Sequence, residues 1–393
     1  MPIQLSHRCQ QVKPSATLSL NSKAAEMKRA GLDVINLTAG EPDFDTPEPI
    51  KAACIVAMNA GKTGYSAING APELREAICK KLMTDNQLEY TPNDIIVSNG
   101  AKQTLYNLTQ ALLNPGDEAI IPAPYWVSYP DMVALASAES VFIETTLEKE
   151  FKITAKQLEQ AITPKTRLFF LNSPSNPTGM VYSKRELGEL ADVLLAHPQI
   201  AIASDDIYEK MYWRNDKFTH ILNVCKALRE QTIVINGCSK AYAMTGWRIG
   251  YSAAPAGITG AMKKIQSHST SAPNTMAQFA AVRALEMTDT DLEPMLSAYL
   301  PRLTLAHSLL SAIPGVECLP AQGAFYLYPS IKGLMKKKGI QNDTELCEQL
   351  LTQQNVATVP GSAFGANGYL RISCACSEEV LRAGIARIKE YAK

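Results

Sequence analysis

The chain has 393 residues, and its 38 Lys plus Arg balance 38 Asp plus Glu for a formal net charge of zero. That balance argues against a nucleic-acid polyanion as the main partner, because phosphate backbones are held by excess cationic charge. Hydrophobic residues make up 46% and charged residues 19%. The charged share lies below the roughly 25% of soluble domains and leaves room for a large buried core.

The N-terminal stretch from Met1 to Asn21 has no apolar segment of the signal-peptide kind. No apolar run approaches the roughly 18 residues of a membrane span. Nine cysteines without framework spacing are expected to be reduced thiols, so a cytoplasmic protein is expected. A helical pattern runs around Ser22–Ala30. Further along, β-rich runs alternate with helical patterns. Ile95–Val97 reads as a strand, followed by a helix over Ala101–Leu113 with Ala101, Leu105, Leu108 and Leu112 on one face. Ala119–Ile121 and Arg167–Leu171 are strands. Ser183–His197 is a helix opened by a Ser183/Glu186 capping box. Ile200–Ala203 and Thr232–Ile235 are strands. The region after Ala284 is helical, with a strand-rich stretch from Gly323 to Cys374. Cys374 and Cys376 suit alternation on a strand. Strand–helix alternation predicts an α/β fold with a mostly parallel sheet flanked by helices. The expected division is a large domain over 50–285 and a smaller α+β domain from 1–49 and 286–393.

In open α/β sheets ligands bind beyond the carboxyl ends of the strands. Ser98-Asn99-Gly100-Ala101-Lys102 follows the first strand and opens a helix, which suits a phosphate. Asn172-Ser173-Pro174-Ser175-Asn176-Pro177-Thr178-Gly179 is a stiff turn that aims Asn176. Ser204-Asp205-Asp206-Ile207-Tyr208 puts a carboxylate and a phenol at a strand end. Ser239-Lys240 follows a buried strand, where desolvation makes an amine nucleophilic. Each has an ordinary alternative: a plain turn, a capping Asp, a surface Lys. Together they supply a phosphate cradle, an amide, a carboxylate, a phenol and an amine. A pyridoxal phosphate (PLP) site needs this set, with Lys as Schiff-base partner and the carboxylate on the ring nitrogen.

Ser239–Tyr251 (SKAYAMTGWRIGY) resembles the PLP-lysine signature of class I/II, fold-type I aminotransferases. Thr38–Pro47 (TAGEPDFDTP), Tyr125–Pro130 (YWVSYP), Asn176–Gly179 (NPTG), Ser204–Glu209 (SDDIYE) and Tyr369–Ser373 (YLRIS) extend the resemblance over nearly the whole chain. The order and spacing are most similar to the bacterial aspartate aminotransferase branch called Ib, some members of which accept prephenate. The resemblance implies that Lys240 binds the cofactor and moves the proton, that Asp205 binds the ring nitrogen, and that Asn176 and Tyr208 bind the ring oxygen. It implies that Trp126 stacks on the ring, and that Gly100, Ala101, Lys102 and Arg248 surround the phosphate. It further implies that Tyr65 reaches the neighbouring subunit's phosphate in a homodimer. Arg371 is implied to grip the substrate α-carboxylate, with Gly40, Asn176 and Trp126 beside it.

For the distal carboxylate, another branch uses an Arg in the stretch matching Gln266-Ser267-His268-Ser269, which has none. The Ib branch uses a Lys after the phosphate-loop glycine and hydroxyls of a KPSAT motif. Lys102, Ser15 and Thr17 match, and they are expected to bind the side-chain carboxylate; the ordinary alternative for Ser15 and Thr17 is a helix cap. Asp206 stands where the family often has Glu. The expected reaction moves an amino group from L-aspartate to 2-oxoglutarate or oxaloacetate. The competing readings are an aminotransferase for aromatic or neutral amino acids, a PLP lyase, and a binding module. Gly61-Lys62-Thr63 lacks the earlier glycine of a nucleotide loop. No G-x-G-x-x-G is present, and the five histidines form no zinc motif. Lys336–Lys338 reads as a solvated face.

Overall fold

A computed structural model describes residues 3–12 and 16–393, with only the helical backbone described for 16–19. In chain order the strands are β1 (Ile35–Asn36), β2 (Ile95–Asn99), β3 (Glu118–Ala123), β4 (Glu139–Glu144), β5 (Thr166–Asn172) and β6 (Ala201–Asp205). They continue with β7 (Thr232–Gly237), β8 (Ile249–Ala253), β9 (Tyr326–Leu327), β10 (Val356–Ala357), β11 (Val359–Pro360) and β12 (Leu370–Ser373). Seven of them form one sheet in the order β2-β8-β7-β6-β5-β3-β4. Strand β8 is antiparallel to both neighbours, and all other pairings are parallel. Strand β2 therefore points the same way as β7, and six carboxyl ends share one rim.

The sheet is apolar on both faces because helices cover both, as parallel strands require. Alternate residues divide between two cores. Ile95, Val97, Phe169, Ile202 and Val234 join one. Ile96, Leu168, Phe170, Ala203 and Ile233 join the other. The helix Lys184–Leu195 starts as its capping box predicts. Ser183 Oγ accepts from Glu186 N, and the Glu186 carboxylate accepts from Ser183 N at 2.7 Å. A separate core gathers Ile35 and Leu37 with Leu303, Leu327, Leu346, Ile372 and Ile385. Around it, β11-β12-β9 form a three-stranded sheet and β1 pairs with β10.

Three expectations change. The first described long helix is Ala16–Arg29, starting well before Ser22. The 323–374 stretch holds only strands of two to four residues, separated by the helices Lys332–Lys338 and Asp343–Gln354. There Leu346, Cys347, Leu350 and Leu351 are buried at helical spacing. Cys374 and Cys376 lie just past the end of β12, one buried and one half-buried, so strand alternation does not place them. Lys336, Lys337 and Lys338 are exposed, as expected of a solvated face. Among the described residues no helix is long and apolar enough to cross a membrane.

Candidate active site

Beyond the shared strand rim lies a cavity of about 450 Å³. It collects predicted residues from five strand ends and from the smaller sheet. Ala101, Lys102, Trp126, Asn176, Asp205 and Tyr208 line it, with Lys240, Arg248, Gly40 and Arg371.

At one end, Gly100 terminates β2 and caps the helix Ala101–Leu112 with φ 82°. A Cβ at Gly100 would stand 2.5 Å from Arg248 Nη2, so the guanidinium lies directly on the glycine. Arg248 Nη1 donates to Thr245 O at 3.0 Å. The first N–H groups of a helix have no intrahelical acceptor. With a guanidinium beside them, they form a place for a multiply charged anion. Strand β8 makes the approach possible through Gly250, where a Cβ would fall 2.1 Å from Ala101 N.

At the centre, Asp205 closes β6 and is buried. Tyr129 Oη donates to its Oδ2 at 2.6 Å, while Oδ1 is buried without a hydrogen-bond partner. Burial pushes Asp205 up to about 6, opposed by the Tyr129 hydrogen bond and reinforced by neighbouring Asp206. Lys240 projects into the same cavity, and its amine donates to Gly40 O. Burial, together with Arg371, lowers Lys240 to about 8. A carboxylate with a spare oxygen and a depressed amine thus face one space.

At the other end, Arg371 on β12 is buried. Its Nη1 donates to Asn176 Oδ1 at 3.0 Å and its Nη2 to Thr38 O at 2.7 Å. Its Nε is buried and unpartnered. Asn176 N donates to Asn172 Oδ1 at 2.9 Å, and Asn172 Nδ2 donates to Asp205 O at 2.9 Å. The proline turn is therefore pinned to the end of β6. With Asn176 Oδ1 taken by Arg371, its amide nitrogen is left to donate.

Trp126 is half-buried, with its ring edge-on to Tyr129 at 5.4 Å. The Lys102 amine lies 4.9 Å from the Trp126 ring centroid. Desolvation there, with Arg248 nearby, lowers Lys102, and Asp131 opposes this. Tyr65 does not join the cavity: it is 99% exposed in the single chain. Ser15 and the side chain of Thr17 lie outside the described residues. The motifs passed over several residues that shape the site. Tyr129 sits inside YWVSYP, in the first turn of the helix Ser128–Leu135. Thr38 meets Arg371 through its carbonyl, which no side-chain pattern reveals. Asn21 and Tyr326 line the cavity from distant parts of the chain. No local signal marks either.

Residues 32–388 match the family described as aminotransferase class I and II, and the chain belongs to that family. A relative from Nitrosomonas europaea named aspartate/prephenate aminotransferase is 48% identical over 392 residues, covering 98% of this chain and 99% of that protein. An aspartate aminotransferase from Bacillus sp. (strain YM-2) is 48% identical over 389 residues, with 99% of each covered. The fold is shared with a crystal structure of the aspartate aminotransferase from Rhizobium meliloti, at TM-score 0.96 and 42% identity, covering 100% of this chain and 99% of that one. It is shared likewise with Thermus thermophilus aspartate aminotransferase solved with maleate, at TM-score 0.93 and 41% identity, covering 99% and 100%.

Proposed function

We propose that the chain is a PLP-dependent transaminase that takes the amino group of L-aspartate and delivers it to 2-oxoglutarate or oxaloacetate. One observation carries the reading: Lys240, the orphaned Asp205 oxygen and Arg371 face a single cavity whose far end is a helix N-terminus with Arg248. The cofactor fits these groups. Its phosphate suits the Gly100–Lys102 turn, its ring nitrogen suits Asp205 Oδ1, and its ring oxygen suits Tyr208 and Asn176. When bound, it supplies an aldehyde and an electron-withdrawing ring that eases loss of the substrate's α-proton.

The chain's own groups do the rest. Lys240, lowered to about 8, has a neutral fraction at pH 7 that serves as nucleophile. The same amine is placed to take the proton from the substrate Cα and to hold it for return within the site. Asp205 is held partly neutral by burial and becomes ionised beside a cationic nitrogen. Arg371 presents its remaining N–H groups to the α-carboxylate as a fork. Trp126, on the cavity wall, would cover the ring. Two half-reactions through one site imply ping-pong kinetics.

Lys102, at the cavity wall over Trp126, is assigned the distal carboxylate together with Ser15 and Thr17. The maleate in the Thermus thermophilus structure and the aspartate in the relatives' names support a dicarboxylic substrate. Prephenate is a second amino acceptor favoured by the Nitrosomonas europaea relative's name. Two further assignments accompany the reading. The chain divides into a large lobe, 50–285, and a small one from 1–49 and 286–393. It works as a homodimer in which Tyr65 serves the partner's phosphate. Exposed Ile55, Val56 and Tyr65 support the dimer. So does an open depression of about 650 Å³ that adjoins the cavity at Arg248.

The test is the absorption spectrum of the purified holoenzyme. L-aspartate alone converts the lysine-bound cofactor band to that of the aminated cofactor, and 2-oxoglutarate restores it. An unchanged band with aspartate overturns the substrate. Lys102→Ala loses activity on dicarboxylic substrates about tenfold or more relative to neutral ones, the scale of one charge-assisted hydrogen bond. Equal loss on both overturns the role of Lys102.

A further inference from the structure

Tyr326 enters neither the sequence motifs nor the reaction outlined above, yet it occupies the middle of the site. It is the first residue of β9 and is fully buried. Its cross-strand partner is Ser373. Arg371 lies two residues along β12 and so on the same face of the small sheet. The Arg371 guanidinium carbon is 4.6 Å from the Tyr326 ring centroid and 5.1 Å from that of Phe364. The Tyr326 hydroxyl is 2.9 Å from the Tyr208 hydroxyl.

Burial raises both phenols, Tyr208 well above its ordinary value, so both are protonated near neutrality. Two phenols carry two protons, and one oxygen–oxygen contact consumes one. When Tyr326 donates, the Tyr208 proton is free for an acceptor in the cavity. Asn176 is oriented from the same source, because Arg371 holds its Oδ1. Arg371 is thereby connected to the two donors assigned to the cofactor's ring oxygen by separate routes, one through Asn176 and one through Tyr326 and Tyr208.

We propose that Tyr326 is a positioning residue with two separable parts: its ring supports Arg371 for the substrate carboxylate, and its hydroxyl turns the Tyr208 proton toward the cofactor's ring oxygen. This rests on the transaminase reading, and the experiment keeps the two apart. The holoenzymes of wild type, Tyr326→Phe and Tyr326→Leu are titrated by absorbance between about pH 5 and 10, spanning the range in which such linkages are tuned. Each is then assayed for kcat and KM with L-aspartate.

Donors on the ring oxygen favour the form of the Lys240 linkage in which that oxygen carries more negative charge, the unprotonated one. Tyr326→Phe keeps the ring and loses the hydroxyl. Its titration therefore moves up by about half a unit or more, the worth of one net hydrogen bond. Its KM stays within about twofold, because the cation–π contact remains. Tyr326→Leu shows the same titration shift and in addition raises KM by about three- to tenfold. Tyr326→Phe titrating at the wild-type pH, in a wild type that shows the cofactor band, overturns this proposal alone. Wild type without any cofactor band overturns the transaminase reading and this proposal with it. Should Tyr326→Leu fail to fold, Tyr326→Phe, which removes one oxygen and no packing, decides the matter.

Discussion

Asp205 carries a cost that its function explains. A buried carboxyl with one satisfied oxygen and one orphan is held near 6 instead of 3.8. Because its folded value lies above its unfolded one, the group destabilises the cofactor-free protein above about pH 6. The penalty fades as pH falls from about 6 to 3.8, where both states become protonated. Asp205→Asn keeps an acceptor for Tyr129 and removes the charge. The cofactor-free variant is therefore expected to be more stable than wild type at pH 7.5, by an amount on the order of 3 kcal/mol, with no gain at pH 4. Urea melts at the two pH values check this. The same variant should bind PLP far more weakly, as a stability–activity trade-off predicts. A variant equally stable at both pH values would leave the carboxyl's strain without support. Lys240 works in the opposite sense. Its value is lowered from 10.5 to about 8, so stability is regained as pH rises from about 8 to 10.5, where only the unfolded chain keeps the proton. The rate at which cofactor-free protein captures the PLP aldehyde should climb between about pH 7 and 9 with the neutral amine. Lys240→Ala is expected to lower transamination by more than about 10⁴-fold, measured with aspartate and 2-oxoglutarate.

At the scale of elements, the site is made by strand ends, and the close approaches between them are glycine-dependent. Gly250 lets β8 pass directly under the start of the Ala101–Leu112 helix. A side chain there meets backbone, which cannot move aside as a flexible side chain could. Gly250→Ala is expected to cost about 1–3 kcal/mol of stability, the range for forced overpacking. It should also tilt the helix N-terminus away from Arg248. Calorimetry should show the lower melting temperature, and PLP titration should show weaker binding. A variant with normal cofactor affinity would mean that the helix start does not hold the phosphate. The capping box at Ser183 is a contrasting case. Its two reciprocal hydrogen bonds fix a helix end far from the chemistry, and both residues could be read from the sequence because the interaction spans only three positions.

For the whole molecule, Tyr65 is the informative residue. Its aromatic side chain is 99% exposed on the single chain, and Ile55 and Val56 on the helix Glu48–Asn59 are exposed as well. Sedimentation of the holoenzyme is expected to give twice the chain mass. Tyr65→Ala should weaken PLP binding about tenfold or more without changing the monomer's fold, since a lost charged-group hydrogen bond is worth about 1.5–3 kcal/mol. Mixed dimers of Tyr65→Ala with Lys240→Ala chains would then retain one site with both residues intact. A monomer of full activity would remove the shared site.

The sequence by itself determined the α/β alternation, five of the seven strands of the large sheet to within a few residues (β4 and β8 went unread), and most of the residues that meet at the rim. Each of these is local. An apolar run, a capping box or a Lys after a buried strand is written in neighbouring residues, and a shared strand polarity brings the ends together. What only the tertiary structure decided is contact between distant segments. Tyr326 meets Tyr208 across 118 positions. The Thr38 carbonyl meets Arg371 across 333. Tyr129 finds Asp205 across 76. The short strands after Gly323 likewise gave no clear period, because two to four residues contain barely one repeat and pairing with distant strands defines them. Side-chain chemistry could be read where it stood in a motif. Backbone acceptors, buried second phenols and the orphaned oxygen of Asp205 exist only once the chain has closed on itself.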